Sequence, residues 1–103
     1  MIRHIVLLRW TAESTPDQHQ AVLDELNTLP AAIPEIARYR LGEDLGLAEG
    51  NASLSVIGDF TSVADYEVYR DHPEHQRVIA ERIKPILAGR SAVQYEYDPA
   101  ADA

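Results

Sequence analysis

The organisation of this chain follows from residues 2–10, which read IRHIVLLRW. The stretch is rich in Ile, Val, Leu and Trp, the residue types that favour a strand. Successive side chains of a strand point to opposite faces, and here both faces are apolar. One face carries Ile2, His4, Val6, Leu8 and Trp10, and the other carries Ile5 and Leu7 between Arg3 and Arg9. Such a strand is typical of a sheet that is covered on both faces.

A helix is predicted after this strand. Thr15 can cap its start, Pro16 suits the first turn, and Gln18 completes a capping box. One face of the helix is formed by residues at helical spacing, namely His19, Val22, Leu23 and Leu26. Pro30 and Pro34 end the helix and form a short connector.

The remaining elements again combine strands and helices. Strands are predicted over residues 36–45, 52–60 and 90–97, and helices over residues 63–70 and from Pro73 to near Pro85. Ser62 is a plausible cap for the helix over 63–70. His72 precedes a proline, which disfavours helical backbone, so the helical region breaks there. Residues 99–103 are expected to form a frayed acidic tail.

The resulting order, β-α-β-β-α-α-β, indicates an α+β ferredoxin-like fold with a four-stranded antiparallel sheet and a divided second helix. Helices can cover only one face of such a sheet, and the other face still presents Ile5, Leu7 and Ile57. A second copy of the chain is the simplest cover, because two-fold dimers are the commonest soluble oligomers. We therefore predict a homodimer.

Composition excludes several classes of protein. The chain has 103 residues, no cysteine and a formal net charge of −8, which suits one domain without disulfides, thiol nucleophiles or thiolate metal sites. The acidic balance argues against nucleic acid or an anionic membrane as partner. No apolar run approaches the roughly 18 residues of a membrane span. We expect a cytoplasmic protein with neither a nucleic-acid nor a membrane partner.

Several motifs, taken in order, resemble the stress-responsive α/β-barrel (Dabb) family of the dimeric α/β-barrel superfamily. They are the MIRHIVLL start, the Leu29-Pro30 and Ile33-Pro34 connector, Asp59-Phe60, and YRDHPEH at residues 69–75. The most specific element is the pair of histidines around Pro73 combined with the His4 start. The resemblance implies a stress-responsive domain over residues 1–98 whose dimer forms an α/β barrel.

One branch of this family, the polyketide cyclases of the olivetolic acid cyclase type, closes a linear poly-β-ketone by aldol chemistry without a cofactor. By position, the resemblance implies that His75 is the base, that Tyr69 assists it, and that His4 lines the cavity. His72 matches the other histidine of the motif. The resemblance assigns the apolar positions Val6, Leu8 and Val56 to the cavity. Where those cyclases have aromatic residues on their first helix, this chain has Val22, Leu23 and Leu26, of which Val22 and Leu26 are predicted to contact the substrate.

The chemistry of these residue types agrees with such a reaction. Neutral imidazole near pH 7 can take a proton from a carbon between two carbonyls, and a tyrosine hydroxyl can hold the enolate that forms. On the residues alone, Tyr69 can equally be core packing and His75 a hydrogen-bonded polar group. His72 is well placed to cap the helix after it.

Three functions therefore stay open. The first is a cofactor-free cyclase or isomerase acting by proton abstraction on a hydrophobic carbonyl or polyketide-like molecule. The second is a cofactor-independent monooxygenase or a haem-handling protein. The third is a non-catalytic dimeric module that binds a hydrophobic metabolite. No metal site is expected, because the histidine spacing is a weak ligand signal. The glycines lack phosphate-loop spacing, which argues against nucleotide binding, and the resemblance to the cofactor-free cyclases implies that no cofactor is needed.

Overall fold

The structure is a computed structural model that describes residues 1–101, and it contains a single four-stranded sheet with helices on one face. The strands are β1 (Ile2–Trp10), β2 (Arg38–Glu43), β3 (Leu54–Phe60) and β4 (Leu87–Glu96). The α-helices are α1 (Pro16–Leu26), α2 (Leu29–Ala32), α3 (Val63–Asp71) and α4 (Pro73–Val78). A π-helical turn (Ile79–Ile83) and a 3₁₀ turn (Lys84–Ile86) connect α4 to β4.

The sheet is antiparallel with the order β2-β3-β1-β4, which confirms the ferredoxin-like prediction. The apolar strand β1 occupies an inner position between β3 and β4. Its register places His4 opposite Gly58 on one side and Gln94 on the other. The even-numbered residues of β1, and those of β4 from Arg90 onward, therefore face the helices, and the odd-numbered residues face away from them. A register shift between Arg9 and Trp10 brings Leu87, at the start of β4, to the helix side.

Local side-chain bonds account for the helix boundaries. The backbone N–H of Gln18 donates to the Thr15 hydroxyl at 3.2 Å, and the Thr15 N–H donates to Gln18 Oε1 at 2.9 Å, which completes the predicted capping box. Ser62 Oγ accepts from the N–H of Asp65 at 3.1 Å and caps α3. These caps confirm the helix starts predicted at Pro16 and Val63.

Four local features differ from the sequence prediction. The connector after α1 contains the short helix α2, because Pro30 suits a first helical turn and does not only end α1. Strand β2 begins at Arg38, not at residue 36, because Ile36 turns into the core. The helix from Pro73 changes to π-helical geometry at Ile79. At the edge of α1 a solvated His19 would be expected from the sequence, whereas its ring is half-buried and stacks on Trp10 with ring centroids 5.8 Å apart.

The core lies between the sheet and the helices. It is built from the helix-facing residues of β1 and β3 together with the inner faces of α1, α3 and α4. Its fully buried side chains include Leu26, Leu29, Ile33, Phe60, Tyr69 and Val78, with Val22 at zero exposure. The helices therefore cover one face of the sheet.

The second face of the sheet is apolar and open. Leu7, Val93 and Tyr95 are 41%, 52% and 42% exposed, and they lie beside the partly buried Ile5 and Ile57. No other element among residues 1–101 covers this face.

A buried ion pair ties β1 to β3 on the same face. Asp59 is 1% exposed and accepts from Arg3 Nε at 2.9 Å and from Arg3 Nη2 at 3.1 Å. The Tyr97 hydroxyl donates to Asp59 Oδ2 at 2.8 Å, and the Arg3 guanidinium lies 4.3 Å from the centre of the Tyr97 ring. Burial alone would raise the pKa of Asp59, but the bonds from Arg3 and Tyr97 outweigh burial and lower it.

The end of the chain departs from β4 in a turn. The N–H of Ala101 donates to the Asp98 carbonyl at 3.1 Å, and the N–H of Ala100 donates to the Asp98 carboxylate at 3.0 Å. The last two residues of the expected tail, Asp102 and Ala103, lie outside the described residues. Within the described part, no helix combines the length and apolar character needed to cross a membrane.

Candidate functional site

A cavity of about 320 Å³ lies between the helix-facing side of the sheet and the segment from α3 to the π-helical turn. Its walls are mostly apolar, and they come from Val6, Leu8, Leu26, Val56, Ile79, Ile83 and Leu87. A few polar side chains converge on it from β1, β2, α3 and α4. A concave apolar site with a small number of polar groups is the usual form of a small-molecule site.

The structure brings most of the sequence-predicted site residues together. His4, Tyr69 and His75 line the cavity, as do the apolar residues Val6, Leu8, Leu26 and Val56. Two residues predicted for substrate binding lie elsewhere. Val22 is fully buried on the core side of α1, and His72 caps α4 by accepting the N–H of Glu74 on Nδ1 at 3.1 Å.

The break at Pro73 sets the orientation of the His75 ring. In a continuous helix the N–H of Glu74 would bond to the carbonyl of Arg70, but here it bonds to His72 instead. The Arg70 carbonyl is thereby left available, and His75 Nδ1 lies 3.0 Å from it. Because a carbonyl only accepts, Nδ1 must carry the proton, so the lone pair of neutral His75 is on Nε2.

Tyr69 packs directly against this imidazole. The two rings are stacked with centroids 4.1 Å apart and an interplanar angle of 30°. Burial of His75 lowers its pKa from the ordinary value near 6.5, although its bond to the Arg70 carbonyl acts in the opposite direction. His75 is therefore neutral at pH 7 and able to accept a proton.

His4 has the complementary tautomer. The side-chain amide nitrogen of Gln94 lies 2.7 Å from His4 Nδ1, and because an amide nitrogen only donates, the proton of neutral His4 is on Nε2. The His4 ring lies 5.0 Å from the ring of Tyr66 and 6.2 Å from that of Tyr69. Burial, helped by the positive charge of Arg90, lowers the pKa of His4 to about 4. His4 is consequently a weak base that offers an N–H donor at neutral pH.

Two tyrosine hydroxyls form a second polar group in the cavity. The hydroxyl oxygens of Tyr39 and Tyr69 are 2.9 Å apart, so one donates to the other. The second hydroxyl hydrogen of the pair is left for a ligand. Burial raises the pKa of Tyr69 to about 12 and raises that of Tyr39 further. Both hydroxyls are therefore protonated at neutral pH.

Several cavity residues were missed by the sequence analysis, above all Tyr39, Tyr66 and Arg90. Tyr39 alternates with Arg38 and Arg40 on β2, and a tyrosine on the core face of a strand requires a partner for its hydroxyl. Tyr39 therefore could have indicated from the sequence that a polar group lies inside the core. Arg90 had no such signal, because its place opposite Leu8 depends on the pairing of β1 with β4.

The groups present can support proton transfer. Nε2 of His75 is a proton acceptor, while the N–H of His4 and one hydroxyl of the tyrosine pair are donors to an oxygen that gains negative charge. Within residues 1–101, no group of three or more His, Asp or Glu side chains is arranged to hold a metal ion.

Comparisons with known proteins place the chain in a family. The model of the stress responsive A/B barrel domain matches residues 2–97. A comparison with curated protein sequences finds no match. Among solved structures, a dimeric ferredoxin-like protein of unknown function from Thermobifida fusca is 47% identical, with a TM-score of 0.85 over 93% of this chain and 90% of that one.

Two further solved structures are named as enzymes. A hydroxynitrile lyase from Passiflora edulis has a TM-score of 0.82 at 22% identity and covers 95% of this chain and 94% of its own. An antibiotic biosynthesis monooxygenase has a TM-score of 0.71 at 16% identity, covering 96% of this chain and 100% of its own. At these identities the likeness establishes a common fold.

Proposed function

The chain belongs to the stress-responsive A/B barrel domain family, and from that premise we propose that it is a cofactor-independent enzyme acting by proton abstraction on a small hydrophobic carbonyl compound. The observation that carries the proposal is the pairing of opposite tautomers in one apolar cavity. His75 offers an acceptor nitrogen, and His4 offers an N–H donor. The presence of enzymes with the same fold supports a catalytic use of the cavity.

The proposed reaction needs no redox partner. His75 Nε2 takes a proton from a carbon next to a carbonyl, the electron pair of the broken C–H bond forms a C=C bond to the carbonyl carbon, and the π pair of the C=O bond moves to the oxygen. The enolate oxygen is held by the N–H of His4 and by the free hydroxyl hydrogen of the Tyr39–Tyr69 pair.

The enolate then has two routes. Its carbon can attack a second carbonyl of a polyketide-like molecule, which forms a carbon–carbon bond, and the proton held by His75 neutralises the new alkoxide. Alternatively, the proton returns to another carbon and gives an isomer. Atoms and electrons balance within the substrate in both cases.

We further propose that the functional unit is a homodimer formed through the open sheet face. Leu7, Val93 and Tyr95 would otherwise leave an apolar surface in water. The solved structure that is 47% identical is described as dimeric, which supports the same arrangement here.

Hydrogen–deuterium exchange tests the proton abstraction directly. Phenylacetone is a suitable probe, because its benzylic hydrogens lie next to a carbonyl and its exchange in D₂O is followed by NMR. We expect the protein to accelerate this exchange and His75→Ala to lower the catalysed rate by about 10²–10⁴-fold, the usual contribution of a general base. Tyr69→Phe should cost less, because His4 still stabilises the enolate.

The pH profile supplies a second readout. Low pH protonates His75 and removes the base, so the catalysed rate should rise with pH through a midpoint below 6.5, and His75→Ala should lack this rise. His19→Ala is the matched control, because that imidazole stacks on Trp10 outside the cavity. Binding of phenylacetone without His75-dependent exchange would leave the binding-module alternative and refute the catalytic proposal.

A further inference from the structure

The cavity differs in charge from the rest of the molecule. The chain carries 17 acidic residues against 9 Lys and Arg residues. None of the acidic residues within 1–101 lines the cavity, whereas Arg70, Lys84 and Arg90 all do. Among the described residues of this acidic protein, the formal charges that line the cavity are therefore all positive.

The three cations differ in whether an acidic side chain pairs with them. The Arg70 guanidinium is engaged by Asp71, with Nε–Oδ1 and Nη2–Oδ2 distances of 2.9 Å, and Glu67 lies 3.7 Å away. No carboxylate within residues 1–101 forms an ion pair with Arg90 or Lys84. Arginine is the residue best suited to bind a carboxylate, because its planar N–H groups match the two oxygens.

Arg90 is also close to the proposed catalytic groups. It lies on the helix-facing side of β4, opposite Leu8 and four residues from Gln94. Burial is the main cause of the lowered pKa of His4 and of His75, and the positive charge of Arg90 lowers both further. A negative group bound by Arg90 would consequently lie within the electrostatic range of both imidazoles.

We propose that the ligand of this cavity is an anionic amphiphile, a hydrophobic carbonyl compound with a carboxylate that is bound by Arg90. Lys84 is a second cation at the same cavity, and the apolar body of the ligand packs against Leu8, Ile79 and Leu87. The inference rests on the proposed function, because it names the substrate class of the same site. It also excludes neutral ketones as the preferred ligands.

A pair of probes that differ in one charge tests the inference. 4-(2-Oxopropyl)benzoate and its primary amide share their shape and their ketone, and their dissociation constants are measured by titration calorimetry. We expect the carboxylate to bind about 10- to 100-fold more tightly than the amide, as a charge-assisted hydrogen bond allows. Arg90→Gln should remove most of this preference.

Arg70→Gln is the matched control, because Arg70 lines the same cavity but its charge is already engaged by Asp71. It should retain the preference for the carboxylate. NMR titration of the ligand-free proteins gives a second measurement. The pKa values of His4 and His75 should be higher in Arg90→Gln than in the wild type. Arg90 is exposed, so Arg90→Gln should leave the fold intact, and circular dichroism checks this.

The outcomes separate this inference from the proposed function. Equal affinity for the two probes, no measurable binding of the carboxylate, or a preference that Arg90→Gln leaves intact would each overturn the anionic ligand. Phenylacetone has no carboxylate, so its exchange does not require a bond to Arg90. If that exchange requires His75 while the carboxylate has no advantage, the anionic ligand alone is refuted.

Discussion

The hydrogen bond between the hydroxyls of Tyr39 and Tyr69 should contribute to the stability of the protein. Removing one hydroxyl leaves the other in an apolar cavity without its partner, which costs about 1–3 kcal/mol, whereas removing both is much less costly. Tyr39→Phe and Tyr69→Phe should therefore each lower the free energy of unfolding, and the double variant should lose less than the sum. Urea denaturation of the four proteins at one protein concentration measures the coupling. Strictly additive losses would show that the hydroxyl bond contributes nothing to stability.

Individual site residues were predictable only where local sequence determines them. The cap formed by His72 and the break at Pro73 depend on adjacent residues, and both were predicted. The tautomer of His75 depends on a carbonyl five residues away, which becomes available only through that break. The contact of Gln94 with His4 joins residues 90 positions apart, so no local pattern indicates it.

The Asp59 carboxylate cross-links β1, β3 and the segment that follows β4. Asp59→Asn removes its charge beside the mostly buried guanidinium of Arg3, and losing one partner of a buried ion pair costs about 3–5 kcal/mol. We expect a loss of this order in the free energy of unfolding at pH 7. Asp24→Asn, on the exposed face of α1, is the control and should change stability little.

The same cross-link has a defined pH dependence. The pKa of Asp59 is lowered in the folded protein, so its contribution is present above the unfolded pKa of about 3.9 and is lost as pH falls through the folded value. The difference in stability between the wild type and Asp59→Asn should accordingly narrow below about pH 4. A difference that stays constant down to pH 2 would contradict this account.

Helices and strands were predicted to different degrees for a physical reason. Capping boxes and proline breaks are local, so the starts of α1, α3 and α4 were confirmed. The π-helical turn was missed, because it accommodates the packing of Ile79 and Ile83 at the cavity and leaves no local signature. The four-stranded antiparallel sheet was predicted from the succession of elements, whereas the order of its strands and the register of β1 with β4 required the structure.

A substitution on the open sheet face tests the proposed homodimer. Leu7→Lys places a charge on this apolar face and should convert a dimer into a less stable monomer in sedimentation experiments. Leu47→Lys is the matched control, because Leu47 is 84% exposed in the loop between β2 and β3 and away from the sheet. A wild-type protein that sediments as a monomer at micromolar concentration would rule out the proposed dimer.

The inner position of β1 affects how the protein is made. Of the four strands of this sheet, β1 leaves the ribosome before the others, yet one of its two neighbours, β4, is synthesised after all of them. The main chains of Met1 and Tyr97, 96 positions apart, bond to each other and close this contact. Until β4 is synthesised, the edge of the strand that carries His4 stays unpaired, and contacts over such separations form slowly. A chain that stops before β4 therefore carries an open sheet edge and lacks Arg90, so the cavity forms only after β4 has been synthesised.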